Sequence, residues 1–198
     1  MKITELKSVS RDKLDSLLMT IPFFKEVKNS TEPWQYDVLC KYSRIVSYEP
    51  GEMVLARGDV DTWMYYVLKG QLVVYAGDPG EKGKAVNYIT PGEIFGDLAM
   101  LVDGKRMATV LADENSREIL VFGTDFSVFG KLDDFSSISL KTKLSFFRKM
   151  VHSIRWKLEQ YRMEHPTHEL VPKIRQMKPY TGPKDGREEL GALYQQSG

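Results

Sequence analysis

The chain has 198 residues, 42% hydrophobic and 28% charged, with a formal net charge of +1. That length supports one domain with a real core plus some extra chain, and the near-neutral balance gives no general case for nucleic acid or a membrane surface as partner. A single cysteine, Cys40, excludes an internal disulfide and points to a reducing compartment. The N-terminus "MKITELKSVSRDKLDSLL" places charge in every turn and does not read as a signal peptide, and no apolar run is long enough to span a bilayer. A cytoplasmic protein without a membrane span is expected.

Leu14, Leu17, Leu18 and Ile21 fall at helical spacing and predict an amphipathic helix over 11–21 that Pro22 ends. "EPWQYDVLCKY" (32–42) predicts a second short helix. From Arg44 onward the texture changes to short β-rich runs: "RIVSY", "MVLA", "WMYYVL", "QLVVYA", "AVNYI", "MATVLA" and "EILVF". Glycine, proline or aspartate turns separate them, at "EPGE" (49–52), "RGDVD" (57–61), "KG" (69–70), "GDPGEKGK" (77–84), "TPGE" (90–93) and "VDGK" (102–105). Many short strands with regular turns predict an antiparallel barrel or sandwich over about 44–122. Helical character returns beyond Phe122, where Leu140, Leu144, Phe147, Val151, Ile154, Leu158 and Tyr161 form an a/d heptad seam. This helix is expected to pack along a partner or its own barrel. Prolines 166, 172, 179 and 183 then break the pattern, so 166–198 reads as an extended or disordered tail with a short helix at "REELGALY". The expected organisation is an N-terminal helical segment (1–43), a β-barrel (44–122), C-terminal helices (123–165) and the tail (166–198).

One stretch, "FGDLAMLVDGKRMATV" (95–110), sets a lone acid and a lone arginine in apolar surroundings. Gly96 permits an unusual backbone turn after a strand. Asp97-Leu98-Ala99-Met100 can make one helical turn, whose unpaired N–H groups suit an anion such as phosphate. Arg106, returning on the next strand, can grip the same anion with its fork of donors. Asp97 would repel an anion but can accept hydrogen bonds from hydroxyls such as those of a ribose. Phosphate donors and a hydroxyl acceptor among apolar residues describe a nucleotide pocket. The plainer alternative is that Asp97 and Arg106 pair with each other.

The segment resembles the phosphate-binding cassette of the cyclic-nucleotide-binding domain family, which includes catabolite activator proteins and regulatory subunits of cyclic-AMP-dependent kinase. The family pattern Phe-Gly-Glu-Leu-Ala-Leu, a variable turn, then Arg-x-Ala-Thr-Val appears here as "FGDLAM", "LVDGK" and "RMATV". "YEPGEMVLARGDVDTWMYYVLKGQLVVY" resembles the family's upstream half, with Gly51, Gly58, Asp59 and Gly70 in place, and "IPFFKEV" is also typical. The resemblance covers about 10–160 and implies an α+β fold, an antiparallel jelly roll flanked by N- and C-terminal helices. It further implies that Gly96 and the amides around Leu98 and Ala99 cradle a cyclic phosphate. Arg106 would then pair with a phosphate oxygen, helped by the Met107 amide with Ala108 following, and Asp97 would take the ribose 2′-hydroxyl. Aspartate replaces the family's usual glutamate, and Lys105 stands where proline is common. Met107, where cyclic-GMP-selective members often carry threonine, leans towards cyclic AMP.

The other signals are weaker. A cupin-type metal barrel needs inward histidines, yet His152, His165 and His168 all lie outside the barrel segment. "GDPGEKGK" has neither the spacing nor the hydroxyl of a Walker loop. No nucleophile–histidine pair or cofactor motif appears, so no enzyme is expected. The helix over 140–163 carries seven basic residues against Glu159 alone, a formal +6. With a at 144, 151 and 158, a parallel homodimer would set Lys143 against Arg148 and Lys157 against Arg162 of the other copy, like charges that disfavour it. Trp156 lies off the seam and reads either as a packed core residue or as a lid stacking on a purine. Too little chain follows Arg162 for a helix-turn-helix. The expectation is a non-enzymatic cyclic-nucleotide sensor that signals to a protein partner through the basic helix or the tail. Cyclic AMP is the first ligand expected, then cyclic GMP or cyclic di-GMP; the alternative is a degenerate domain acting as a scaffold. An Arg106→Ala change is expected to abolish binding and leave the fold intact.

Overall fold

The computed structural model describes residues 1–76, 85–96, 105–164 and 178–197. The chain divides into two compact units, Met1–Val128 and Phe129–Gly198.

In the first unit, among the described residues, nine strands follow and flank three short helices. They are β1 (Lys2–Glu5), α1 (Arg11–Leu18), α2 (Pro22–Lys28), α3 (Trp34–Lys41), β2 (Ser43–Tyr48), β3 (Met53–Leu55), β4 (Trp63–Lys69), β5 (Leu72–Tyr75), β6 (Ala85–Ile89), β7 (Ile94–Phe95), β8 (Thr109–Ala112) and β9 (Ile119–Asp125). They form two antiparallel sheets, ordered β1-β2-β9-β4-β7 and β3-β8-β5-β6. The jelly-roll expectation holds as two facing sheets with a shared core.

Strand period explains which side chains fill that core. Tyr65 and Val67 of β4, Val121 of β9, Leu72 of β5 and Val110 of β8 point to the same buried cluster. The alternate residues Tyr66 and Phe122 point the other way and meet Phe24 of α2 edge-on, with centroids 5.6 and 5.1 Å apart. Phe24 also meets Tyr36 of α3 at 6.2 Å. With both faces covered, "WMYYVL" and "EILVF" read as continuous apolar runs rather than as alternation.

Two local expectations are corrected. Pro22 does not end a helix running to residue 21; α1 stops at Leu18, and Pro22 begins α2, where its missing N–H is no loss. The charged N-terminus is also a strand, since Lys2–Glu5 pairs with β2 through Ile3↔Val46. Its side chains are mostly exposed on a sheet edge, so no hydrophobic alternation marks it.

In the second unit, the 25-residue helix α4 (Leu140–Glu164) packs with α5 (Arg187–Ser197). Residues 142–147 are buried all round, and Phe146 and Met150, off the a/d seam, are as buried as Leu144 and Phe147 on it. That stripe is wider than a two-stranded coiled-coil seam and marks a core-facing helix. The seam weakens towards its end, where Ile154 and Leu158 are half-buried.

The charges assigned to a dimer seam have other employment. Lys143 is 1% exposed and donates to the carbonyls of Lys131 (2.5 Å) and Asp134 (2.6 Å), with Phe135 under its ammonium. Arg148 donates Nε and Nη2 to the two oxygens of Glu189 at 2.8 and 2.6 Å, and Nη2 also to Asp185 at 2.8 Å. Arg162 pairs with Glu159 on its own helix. The like-charge argument against a homodimer therefore loses Lys143 and Arg148. Trp156 is not a packed core residue, being 59% exposed.

Arg148 holds the Glu189 carboxyl below the usual carboxylate range. A depressed carboxyl contributes stability that is present above its ordinary pKa and is lost as pH falls through the lowered value. Glu189→Gln is expected to cost about 1–2 kcal/mol at neutral pH. Hydrogen exchange, corrected for intrinsic pH dependence, should show faster opening of residues 187–197 in the variant at pH 7 and a converging rate in wild type at acid pH.

Candidate functional site

Arg106 lies between the β3–β4 turn and the end of β7, pinned through its main chain. The Arg106 N–H donates to Asp59 O at 2.8 Å and Gly58 N–H donates to Arg106 O at 2.9 Å, beside a bridge between Val60 and Lys105. Gly58 takes a φ of +92°, which lets the turn present these groups edge-on to the returning strand. The backbone geometry drives the Arg106 side chain inward, where only 2% of it is exposed.

A buried guanidinium must be satisfied, and this one is. Nε and Nη2 form a fork on the Asp61 carboxylate (Nε to Oδ2 is 3.1 Å), Nη1 donates to Gly96 O at 2.7 Å, and Nη2 also donates to Trp63 O. Asp61 is itself fixed by accepting from the Trp63 N–H at 2.8 Å. The aromatic wall is formed by Tyr65, stacked on Phe95 at 5.3 Å, and by Trp63, over which Arg44 lies at 3.8 Å. Burial raises the Tyr65 hydroxyl above its ordinary range, so it stays neutral.

Gly96 completes the arrangement. Its φ is +75°, and a Cβ there would sit 2.6 Å from Arg106 Nη1 and 3.3 Å from Trp63 O. Glycine at this position both makes the turn and lets the guanidinium approach the backbone.

The structure thus brings Gly96 and Arg106 into direct hydrogen-bonded contact, with Met107 exposed and Ala108 half-buried beyond. Asp97, Leu98 and Ala99 lie outside the described residues, and so does the predicted helical turn they begin. Trp156 belongs to α4 in the second unit. The alternative pairing of Asp97 with Arg106 falls on a residue outside those described; among the described residues Arg106 pairs with Asp61. Sequence reasoning marked "RGDVD" only as a turn and passed over Asp61. The one available signal was an acid two residues before an aromatic strand, in the turn facing the arginine. Because this side chain ties together three separate segments, Arg106→Ala is expected to weaken the fold as well as any binding.

Among the described residues no cluster of three His, Cys, Asp or Glu side chains could hold a metal ion, and no helix is long and apolar enough to cross a membrane. A groove of about 600 Å³ on β5, β6 and β8, lined by Val73, Tyr75, Tyr88 and Asp113, does not include Arg106.

Residues 45–129 match the family described as the cyclic nucleotide-binding domain. The chain is 26% identical over 94 residues to a cyclic AMP receptor protein of Thermus thermophilus, covering 48% of this chain and 44% of the relative. It is 32% identical over 83 residues to a cAMP-dependent protein kinase regulatory subunit of Mucor circinelloides, covering 42% and 19%. The chain thus spans less than half the length of these curated relatives. The crystal structure of a cyclic nucleotide-binding domain from Methylobacillus flagellatus superposes with a TM-score of 0.59 over 86% of this chain and 88% of that one, at 15% identity, a likeness of fold.

Proposed function

We propose, from the match of residues 45–129 to the cyclic nucleotide-binding domain family, that the chain is a non-enzymatic sensor of a cyclic nucleotide, cyclic AMP foremost. The observation that carries the reading is the buried Arg106 guanidinium bonded to Gly96 O, both within the cassette segment 95–110. A guanidinium offers a planar fork of donors that matches the oxygens of a phosphate.

In this reading Gly96 and the amides of Leu98 and Ala99 cradle the cyclic phosphate, Arg106 pairs with one of its oxygens with help from the Met107 amide, and Asp97 accepts from the ribose 2′-hydroxyl. The names of the Thermus and Mucor relatives support cyclic AMP as the first ligand to try. Binding shifts an equilibrium between conformations, and a protein partner reads the change through α4 or the residues after it. A second reading has its own support: four of the five guanidinium N–H donors are already spent on Asp61, Gly96 and Trp63. A scaffold with a structural ion pair would look the same.

Thermal unfolding with cyclic AMP, cyclic GMP, cyclic di-GMP and 5′-AMP separates the two. A ligand at 100 times its dissociation constant adds about 2.7 kcal/mol, several degrees in midpoint. The sensor predicts a shift with a cyclic nucleotide and none with 5′-AMP; no shift with any of the four supports the scaffold.

A further inference from the structure

The second unit contains a helix docked on a basic surface in a way that invites replacement. Arg148 and Arg155 are seven residues apart on α4, and so are their contacts Glu189 and Gln196 on α5, in the same order. The two helices therefore run parallel in heptad register. α5 buries a narrow stripe of Glu189, Leu190, Leu193 and Ser197, and Phe147 of α4 meets the Tyr194 ring at 5.8 Å. Arg155 also donates to Lys178 O at 3.1 Å. An acidic complement to the basic helix is thus supplied, in part, by the chain's own C-terminal segment.

That segment is a poor version of what the surface could hold. Residues 178–197 bring three acids (Asp185, Glu188, Glu189) but also three bases (Lys178, Lys184, Arg187), while α4 carries seven bases against Glu159 and Glu164. α5 has only 11 residues, too few for a stable helix on its own. Gly191 stands in its middle, where a Cβ would meet nothing within 4 Å, so packing does not require the glycine that weakens the helix.

We propose that the Arg148–Arg155 face of α4 is a recognition surface for an acidic amphipathic helix of a protein partner, and that α5 is a weak intramolecular stand-in which that helix displaces. The partner's helix presents a carboxylate to Arg148, leucine-sized residues one and four positions later, and a carboxylate or amide to Arg155 seven positions after the first. This stands apart from the nucleotide reading, since it depends only on contacts within the second unit.

The test uses the full chain and a fluorescent peptide of residues 184–197 carrying Gly191→Ala, read by anisotropy. Glu189→Arg in the chain should release α5, seen as faster hydrogen exchange at 187–197, and raise peptide affinity at least tenfold. Arg148→Glu should lose the peptide, and a Glu189→Arg peptide should regain it on that variant. Gly191→Ala in the chain breaks no contact but strengthens α5, so it should weaken peptide binding about fivefold. Unchanged protection of 187–197 in Glu189→Arg, or no peptide binding once α5 is released, would overturn the proposal.

Discussion

Arg106→Ala is expected to lower the stability of the first unit by about 2–4 kcal/mol, read from urea unfolding at 25 °C. The substitution leaves the Gly96 and Trp63 carbonyls and the Asp61 carboxylate without their donor. Breaking a fully buried ion pair from one side costs about 3–5 kcal/mol, and the partial exposure of Asp61, 34% for its side chain, lets water recover some of that. Replacing both partners, Arg106→Met with Asp61→Leu, should be less harmful than the single change, because no charge is then left buried. A single Ala variant as stable as wild type would mean that the guanidinium contributes nothing to the fold.

Gly96→Ala should cost about 2–3 kcal/mol by the same measurement. Part is the strain of placing an L side chain at φ +75°. The rest is steric, since the Cβ would sit 2.6 Å from a guanidinium nitrogen held by hydrogen bonds rather than at the free end of a flexible chain. Gly92→Ala separates the two contributions: its φ is +91°, yet nothing lies within 4 Å of a Cβ there. That control should lose about 1–2 kcal/mol, and an equal loss at both positions would show that the approach of Arg106 to Gly96 is not tight.

The sequence made the strands readable because seven of the nine described strands are apolar runs closed by glycine, proline or aspartate turns. It hid β1, whose Lys-Ile-Thr-Glu run lies mostly exposed on an edge with one apolar side chain, and β7, only two residues long. Pro22 misled because proline stops a helix from within and starts one from its first turn, and composition does not say which. In the site, Gly96 and Arg106 were legible as a local motif. Asp61 was not, since its pairing with Arg106 spans 45 residues and depends on the β3–β4 turn meeting the strand after the cassette. The heptad on α4 was legible too, but the identity of its partner was not: a seam states that something packs there, and Tyr194, from a segment read mainly as tail, meets Phe147 of that seam.

On the proposed reading stability and recognition meet in the same guanidinium, so the decisive variant must keep the charge while removing the fork. Arg106→Lys comes nearest: an ammonium keeps the charge and can still pair with Asp61, but cannot present the planar fork of donors to a phosphate. Calorimetric titration of cyclic AMP into wild type and Arg106→Lys, at a temperature where both are folded, is the most direct test. Binding by wild type, weakened at least tenfold in Arg106→Lys, is the predicted result. Equal affinity in the two proteins, or no heat from wild type with any cyclic nucleotide, would contradict the assignment of this site.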